Sequence, residues 1–298
     1  MTQPHTSTTN SLLGYPDDAR LLIINADDFG MCHSINEGIL RTLTQGLVQC
    51  TTLMVPCPWA LHAMRLLREN PEITFGVHLT AIGDGYDYRW GPLTPRDKVP
   101  SLVDESGYFY NFDRMAELFA QVNLDELEME FRAQIETVLS ANLKPTHLDW
   151  HSLRIGARTD IPDLMIGLAK EYGLALRVRG QWWIEKVQGQ GLPANDYDFL
   201  DSSMLDTTDK PAVLVQMLRE LPEGLTEWAV HPGLDTPELL AIEPGGNHVR
   251  QTDHDAMLSP EVRETIRQEG IVLLSYAPLQ ALWQSRQRID TIPTQEHR

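Results

Sequence analysis

Basic charge is scarce in this 298-residue chain: 24 Lys plus Arg stand against 42 Asp plus Glu, a formal net charge of −18. That balance argues against nucleic acid and against anionic membrane surfaces as partners, because both are bound mainly through Lys and Arg. Long apolar runs are lacking too, and none approaches the roughly 20 residues that a membrane span needs. Cysteine is nearly absent. Cys32, Cys50 and Cys57 are odd in number and lack metal-ligand spacing, which reads as reduced thiols of a cytoplasmic protein. The first twenty residues are mainly polar, hold no signal-peptide-like core and are expected to form a loose tail. The glycine-rich phosphate fingerprint of a nucleotide fold is missing, since Gly30 stands alone after the first apolar run. Internal repeats, low-complexity tracts and linkers are missing as well. The expectation is one domain over residues 21–285, with tails at 1–20 and 286–298.

What the chain does have is an alternation of strand-like and helix-like segments, the signature of an α/β fold with a mainly parallel sheet. The stretch Leu21-Leu22-Ile23-Ile24 reads as a strand buried on both faces. It runs into Asn25-Ala26-Asp27-Asp28-Phe29-Gly30. Two adjacent carboxylates at the mouth of a buried strand are costly unless a cation or a shared proton relieves them. Further strands are expected at Val48–Val55, Thr74–Thr80, Pro145–His151, Leu174–Val178, Glu227–His231 and Ile271–Tyr276. Helices are expected at Ser34–Gln45, Trp59–Arg68, Leu124–Ala141, Ile161–Tyr172, Pro211–Leu221 and Glu261–Gln268. Irregular sections are expected at Ala81–Phe112 and Gln181–Asp209. About seven strands, each followed by a helix or a long loop, suggest a distorted (β/α) barrel, with chemistry at the carboxyl ends of the strands.

Four of the ten histidines fall on expected strands: His78 near the end of the third, His147 within the fourth, His151 at the end of the fourth, and His231 at the end of the sixth. With Asp27 and Asp28 ending the first, four strand ends aim Asp or His at one rim. His33 is placed to cap the first helix, and His62 falls within a helix. His248 and His254 follow the sixth strand and are weaker candidates. On the fourth strand His147, Asp149 and His151 share one face, with Leu148 and Trp150 on the other. His151 lies nearest the rim and is the better metal ligand. Asp149 and His147 lie deeper and suit the orienting of a ligand. A carboxylate with two imidazoles and open coordination positions makes a hydrolytic metal site for one divalent ion, zinc or magnesium. Ligand type leans toward zinc or another transition metal.

The motifs NADDFG (Asn25–Gly30), GVHLT (Gly76–Thr80), PTHLDWH (Pro145–His151) and HPG (His231–Gly233) resemble the YdjC/ChbG-like carbohydrate deacetylase family. Their order and spacing match from about residue 21 to 283. The resemblance implies a distorted β/α barrel related to polysaccharide deacetylases and metal-dependent removal of acetyl groups from N-acetylated sugars such as chitooligosaccharides. It also implies Asp28, His78 and His151 as metal ligands and Asp27 as catalytic base, with His231 where a general acid is needed. One departure stands out. Many members follow the fourth-strand histidine with further histidines, and here Ser152-Leu153-Arg154-Ile155 occupy that run. The metal set is retained, whereas Arg154 and Arg158 become candidates to meet a negatively charged or differently oriented substrate group.

Arg177 on the fifth strand is expected to orient Asp27 or to contact substrate. Tyr86, Tyr88, Trp90, Tyr108, Phe109 and Tyr110 crowd one loop, and Trp90 is the one expected to line a sugar cleft. Trp182 and Trp183 fit either that cleft or a subunit contact, which makes a homodimer conceivable. Two alternatives stand beside the deacetylase. Another metal-using barrel enzyme, such as a glycoside hydrolase or sugar isomerase, would need a second catalytic acid away from Asp27 and Asp28 if it were a glycosidase. A non-catalytic sugar binder would have little use for Asp27.

Overall fold

Leu21, Leu22, Ile23 and Ile24 are each 1% exposed or less, which is what a strand covered on both faces requires. Around it, the computed structural model describes residues 8–152 and 158–290. The chain begins with α1 (Thr8–Leu13), β1 (Arg20–Phe29), α2 (His33–Gln45), β2 (Cys50–Leu53), α3 (Ala60–Glu69) and β3 (Thr74–Leu79). A long segment with two short 3-10 turns leads to α4 (Met115–Gln121), α5 (Leu124–Ser140) and β4 (His147–Trp150). Then come α6 (Asp160–Tyr172), β5 (Ala175–Leu176), α7 (Gln181–Gln188), β6 (Leu200–Asp201), α8 (Lys210–Arg219) and β7 (Gly224–Val230). The last elements are α9 (Pro237–Ile242), α10 (Gly246–Met257), α11 (Pro260–Gln268), β8 (Val272–Leu274) and α12 (Ala277–Asp290).

The strands pair in the order β5-β4-β3-β2-β1-β7-β6, and every pairing is parallel. β1 is the hub. One edge pairs with β7 from Arg20 to Ala26, while the other pairs with β8 at Leu21–Ile23 and with β2 from Asn25 onward. The sheet is strongly curled, and one side chain proves it. β5 and β7 lie five steps apart, roughly 24 Å in a flat sheet at 4.8 Å per strand. Yet Arg177, just past β5, places its Nε 2.7 Å from Glu227 Oε1 on β7. The expected distorted (β/α) barrel therefore forms, with helices outside and its ladder open between β5 and β6.

Several local expectations need correction. α1 lies inside the stretch expected to be a tail, fastened by the Thr9 hydroxyl donating to the Ala194 carbonyl, and α12 runs past residue 285. The section Gln181–Asp209 is not irregular throughout: it contains α7, which buries Trp183, Ile184 and Val187, and the two-residue β6. α10 escaped the sequence reading for a physical reason. It buries Asn247, Arg250, Asp253 and His254 beside Ala256 and Met257, so polar contacts hold it and no apolar stripe marks its period. No helix among the described residues is long and apolar enough to cross a membrane.

Candidate metal centre and catalytic cleft

Consecutive residues of a regular strand point to opposite faces, so Asp27 and Asp28 would not ordinarily reach one site. Here the pairing of β1 with β2 slips between Ala26 and Phe29, and Asp28 takes φ +75°. That left-handed conformation costs a non-glycine residue about 1–3 kcal/mol and turns both carboxylates to the same cavity. Gly30, at φ +102°, continues the turn. A Cβ there would sit 3.1 Å from Ala60 Cα and from the Met54 carbonyl, so the NADDFG motif needs glycine at its end.

β3 brings His78 and β4 brings Asp149, with His151 one residue beyond the strand. The His151 amide still donates to the Leu79 carbonyl at 3.0 Å, which keeps it in register with β3. Gln134 of α5 grips both backbone polar groups of Thr80, at 2.9 and 2.7 Å, and so fixes the strand end that carries His78. The result is a tight constellation. Asp28 Oδ1 lies 3.4 Å from His78 Nε2 and 3.1 Å from His151 Nδ1. The ligand atoms of these three buried residues all fall within 4.8 Å of one another.

Each imidazole is backed by a carboxylate. His78 Nδ1 lies 2.7 Å from Asp149 Oδ1, and His151 Nε2 lies 2.7 Å from Asp84 Oδ1. Such partners fix the tautomer and leave the opposite nitrogen's lone pair for a cation. Burial pushes both imidazoles down, but the facing carboxylates outweigh it. Asp149 carries His78 up to about 9, and Asp84 with Asp28 carries His151 up to about 10.

Beside this triad stands a second carboxylate under the control of Arg177. The guanidinium meets Asp27 as a fork, Nη1 to Oδ2 at 2.8 Å and Nη2 to Oδ1 at 2.9 Å. It also meets Asp149 Oδ2 and Glu227 Oε1, each at 2.7 Å. Burial alone would raise Asp27, but the Arg177 charge holds it well below the usual carboxylate range. Asp28 is likewise held down against burial, first by Arg250, whose Nη2 lies 2.8 Å from Oδ2. His231 completes the group, with Nε2 4.0 Å from Asp27 Oδ2 and Nδ1 3.8 Å from Asp201 Oδ1.

Asp27, Asp28, His78, His151 and His231 thus border one cavity of about 410 Å³. Other candidates lie elsewhere. His147 is buried beneath the site, its ring stacked 3.8 Å from that of Tyr276 and its Nδ1 3.0 Å from the Thr146 hydroxyl. Gly76 of β3 lies against its ring, where a Cβ would come within 2.7 Å. Trp90 does not line the cleft. It is buried, donates to the Ile82 carbonyl, and packs its ring 6.0 Å from that of His151. Arg177 makes four short contacts to carboxylates through all three of its nitrogens, two of them to Asp27, and it also borders the cavity. Arg158 is paired with Asp160 at the start of α6. Arg154 lies outside the described residues.

Sequence reasoning missed Asp84, Arg250, Asp201 and Glu227, which belong to no recognisable local motif. It also missed the cleft walls, where Phe112, Trp150, Phe199 and Met204 stand with the polar groups of Arg179 and Ser203. A second histidine group, His33, Glu37 and His62, lies on the surface of α2 and α3. His33 is the first residue of α2 rather than its cap. Asn36 donates to His62 Nδ1 at 3.0 Å while its own oxygen accepts from the Gly30 amide at 2.6 Å. That lock leaves the hydrogen on His62 Nε2, so this group is not ready to bind a metal.

The model of a family described as YdjC-like protein matches residues 21–268. A carbohydrate deacetylase of Enterococcus faecalis is 32% identical over 266 residues, covering 87% of this chain and 97% of that protein. A chitooligosaccharide deacetylase of Yersinia enterocolitica is 29% identical over 266 residues, covering 87% of this chain and 98% of its own. A crystal structure from Enterococcus faecalis, described as a putative cellobiose-phosphate cleavage protein, superposes with a TM-score of 0.76 at 30% identity. It covers 88% of this chain and 99% of its own.

Proposed function

The chain belongs to the YdjC-like protein family, and from that premise we propose that it is a carbohydrate deacetylase using one divalent cation held by Asp28, His78 and His151. The reaction is hydrolysis of the amide between an acetyl group and a sugar nitrogen. The observation that carries this reading is the convergence of three buried ligand atoms within 4.8 Å, each imidazole backed by a carboxylate, beside the Arg177-clamped Asp27.

The donor set suits the cation. One carboxylate oxygen and two neutral imidazole nitrogens match catalytic zinc sites and leave coordination positions for substrate and water, although magnesium also accepts such a carboxylate. When bound, the ion supplies Lewis acidity, polarising the acetyl carbonyl and acidifying the attacking water. The protein's own groups do the rest. Arg250 holds Asp28 Oδ2, which leaves Oδ1 for the ion. Asp27 accepts the proton of the water. Its Arg177 fork sacrifices basicity but guarantees an ionised, oriented carboxylate at every working pH. His231, whose Nε2 lies 4.0 Å from Asp27 Oδ2, gives a proton to the departing amine, which leaves poorly without one. Trp150, Phe199 and Phe112 offer apolar surface to a sugar face, with Arg179, Asp201 and Ser203 for its hydroxyls.

The test is acetate release from a panel of N-acetylglucosamine oligomers, with divalent metal and with chelator. Chelator-sensitive release supports the reading. Metal-bound protein that releases no acetate from any member contradicts it.

A further inference from the structure

We propose that Asp253 and Lys210 form a buried anchor that sets the position of His231, making both of them positioning residues for proton delivery to the leaving amine. The inference rests on the role given to His231 above. Asp253 and Lys210 are both fully buried, with Nζ 2.7 Å from Oδ1. Oδ2 of Asp253 accepts two further hydrogen bonds, from the His231 backbone amide at 2.8 Å and from the Ser202 hydroxyl at 2.6 Å. Lys210 in turn donates to the Ser202 carbonyl at 3.2 Å. Four segments therefore meet at one ion pair: the start of α8, the turn after β6, the end of β7 and the middle of α10.

Stability alone gives a poor account of this arrangement. A fully buried ion pair is often no better than apolar residues of the same volume. Lys210 also sits in the first turn of α8, where the helix dipole disfavours a cation. What the pair does achieve is local to the HPG turn. One helical turn before Asp253, Arg250 accepts from the Gly233 amide through its carbonyl at 3.1 Å while its guanidinium reaches Asp28. α10 thus grips the turn at His231 and at Gly233, and from the same face holds a metal ligand. On the far side α2 closes in, since a Cβ on Gly38 would sit 2.7 Å from Gly233 Cα. Asp253 hydrogen-bonds neither Asp27 nor any of the three cation-holding residues, so its loss should move the His231 ring and leave their geometry in place.

The experiment compares two leaving groups. An N-acetyl sugar expels an amine that must take a proton, whereas 4-nitrophenyl acetate expels a stable anion that needs none. Both require the cation and Asp27. The variants are Asp253→Asn, Ser202→Ala as a milder change that keeps the buried pair matched, and His231→Ala as reference. The expected result is a fall in amide kcat/KM of about 100-fold for Asp253→Asn and less for Ser202→Ala, with ester turnover changed by under about threefold. His231→Ala should show the same selectivity. Parallel loss of both reactions in Asp253→Asn and Ser202→Ala, or loss of neither, with His231→Ala selective, would overturn the anchor and leave the acid in place. A non-selective His231→Ala would overturn the acid itself, and the anchor with it.

Discussion

The Nε2 of His151 lies 2.7 Å from Oδ1 of Asp84, so a partly exposed loop carboxylate holds one nitrogen of a buried imidazole whose other nitrogen faces Asp28. Removing it as Asp84→Asn should free the tautomer. Loss of such a partner typically weakens metal affinity by about 10–100-fold. Competition with a chromophoric chelator measures it, and because the Asp84 side chain is 27% exposed, the melting temperature of the chelated protein should hardly change.

Arg177 should behave in the opposite way. It is 1% exposed and contacts Asp27, Asp149 and Glu227 at once. Arg177→Met would strip the shared cation from three buried carboxylates, leaving Asp149 only its contact with His78 and Glu227 only the Tyr276 hydroxyl, at a cost of about 3–5 kcal/mol. Arg177→Lys should not restore activity, because an ammonium cannot reproduce the two-pronged contact with Asp27. Urea unfolding and turnover, measured on both variants, check the two halves of this expectation.

In protein stripped of metal, the carboxylates around His78 and His151 keep the imidazoles protonated to about 9 and about 10, above the ordinary 6.5. A raised folded-state value means the folded chain binds the extra protons. The stabilisation is complete below pH 6.5 and is lost as pH rises through 9 to 10. The melting temperature of chelated protein should therefore fall across that window. Metal uptake should displace protons, so apparent affinity should rise with pH. Calorimetry in buffers of different ionisation enthalpy counts the protons released.

Trp90→Ala should act through packing rather than through substrate contact. The ring is buried, wedged between Tyr88 and His151, and its loss should cost about 3–5 kcal/mol. Preference for oligomer length should stay as it is. Phe112→Ala, at the cleft mouth, should instead raise KM with little change in stability.

The contrast between Trp90 and Phe112 shows where the sequence was legible. The strand pattern and the positions of Asp27, Asp28, His78, His151 and His231 could be read because a parallel barrel aims its strand ends at one rim. Period two set His147 and Asp149 on one face, and there Asp149 meets His78 Nδ1 while His147 stacks on Tyr276. Asp84, Arg250 and Asp253 were invisible, since each reaches its partner across 22 to 222 residues of chain from a loop or from a polar helix. An aromatic cluster in sequence does not reveal which ring turns inward.

The most direct measurement is anomalous diffraction from crystals soaked in a zinc salt. The account predicts one strong peak about 2.0–2.2 Å from Asp28 Oδ1, His78 Nε2 and His151 Nδ1. No peak there, or a peak at His33 and His62 alone, would contradict it.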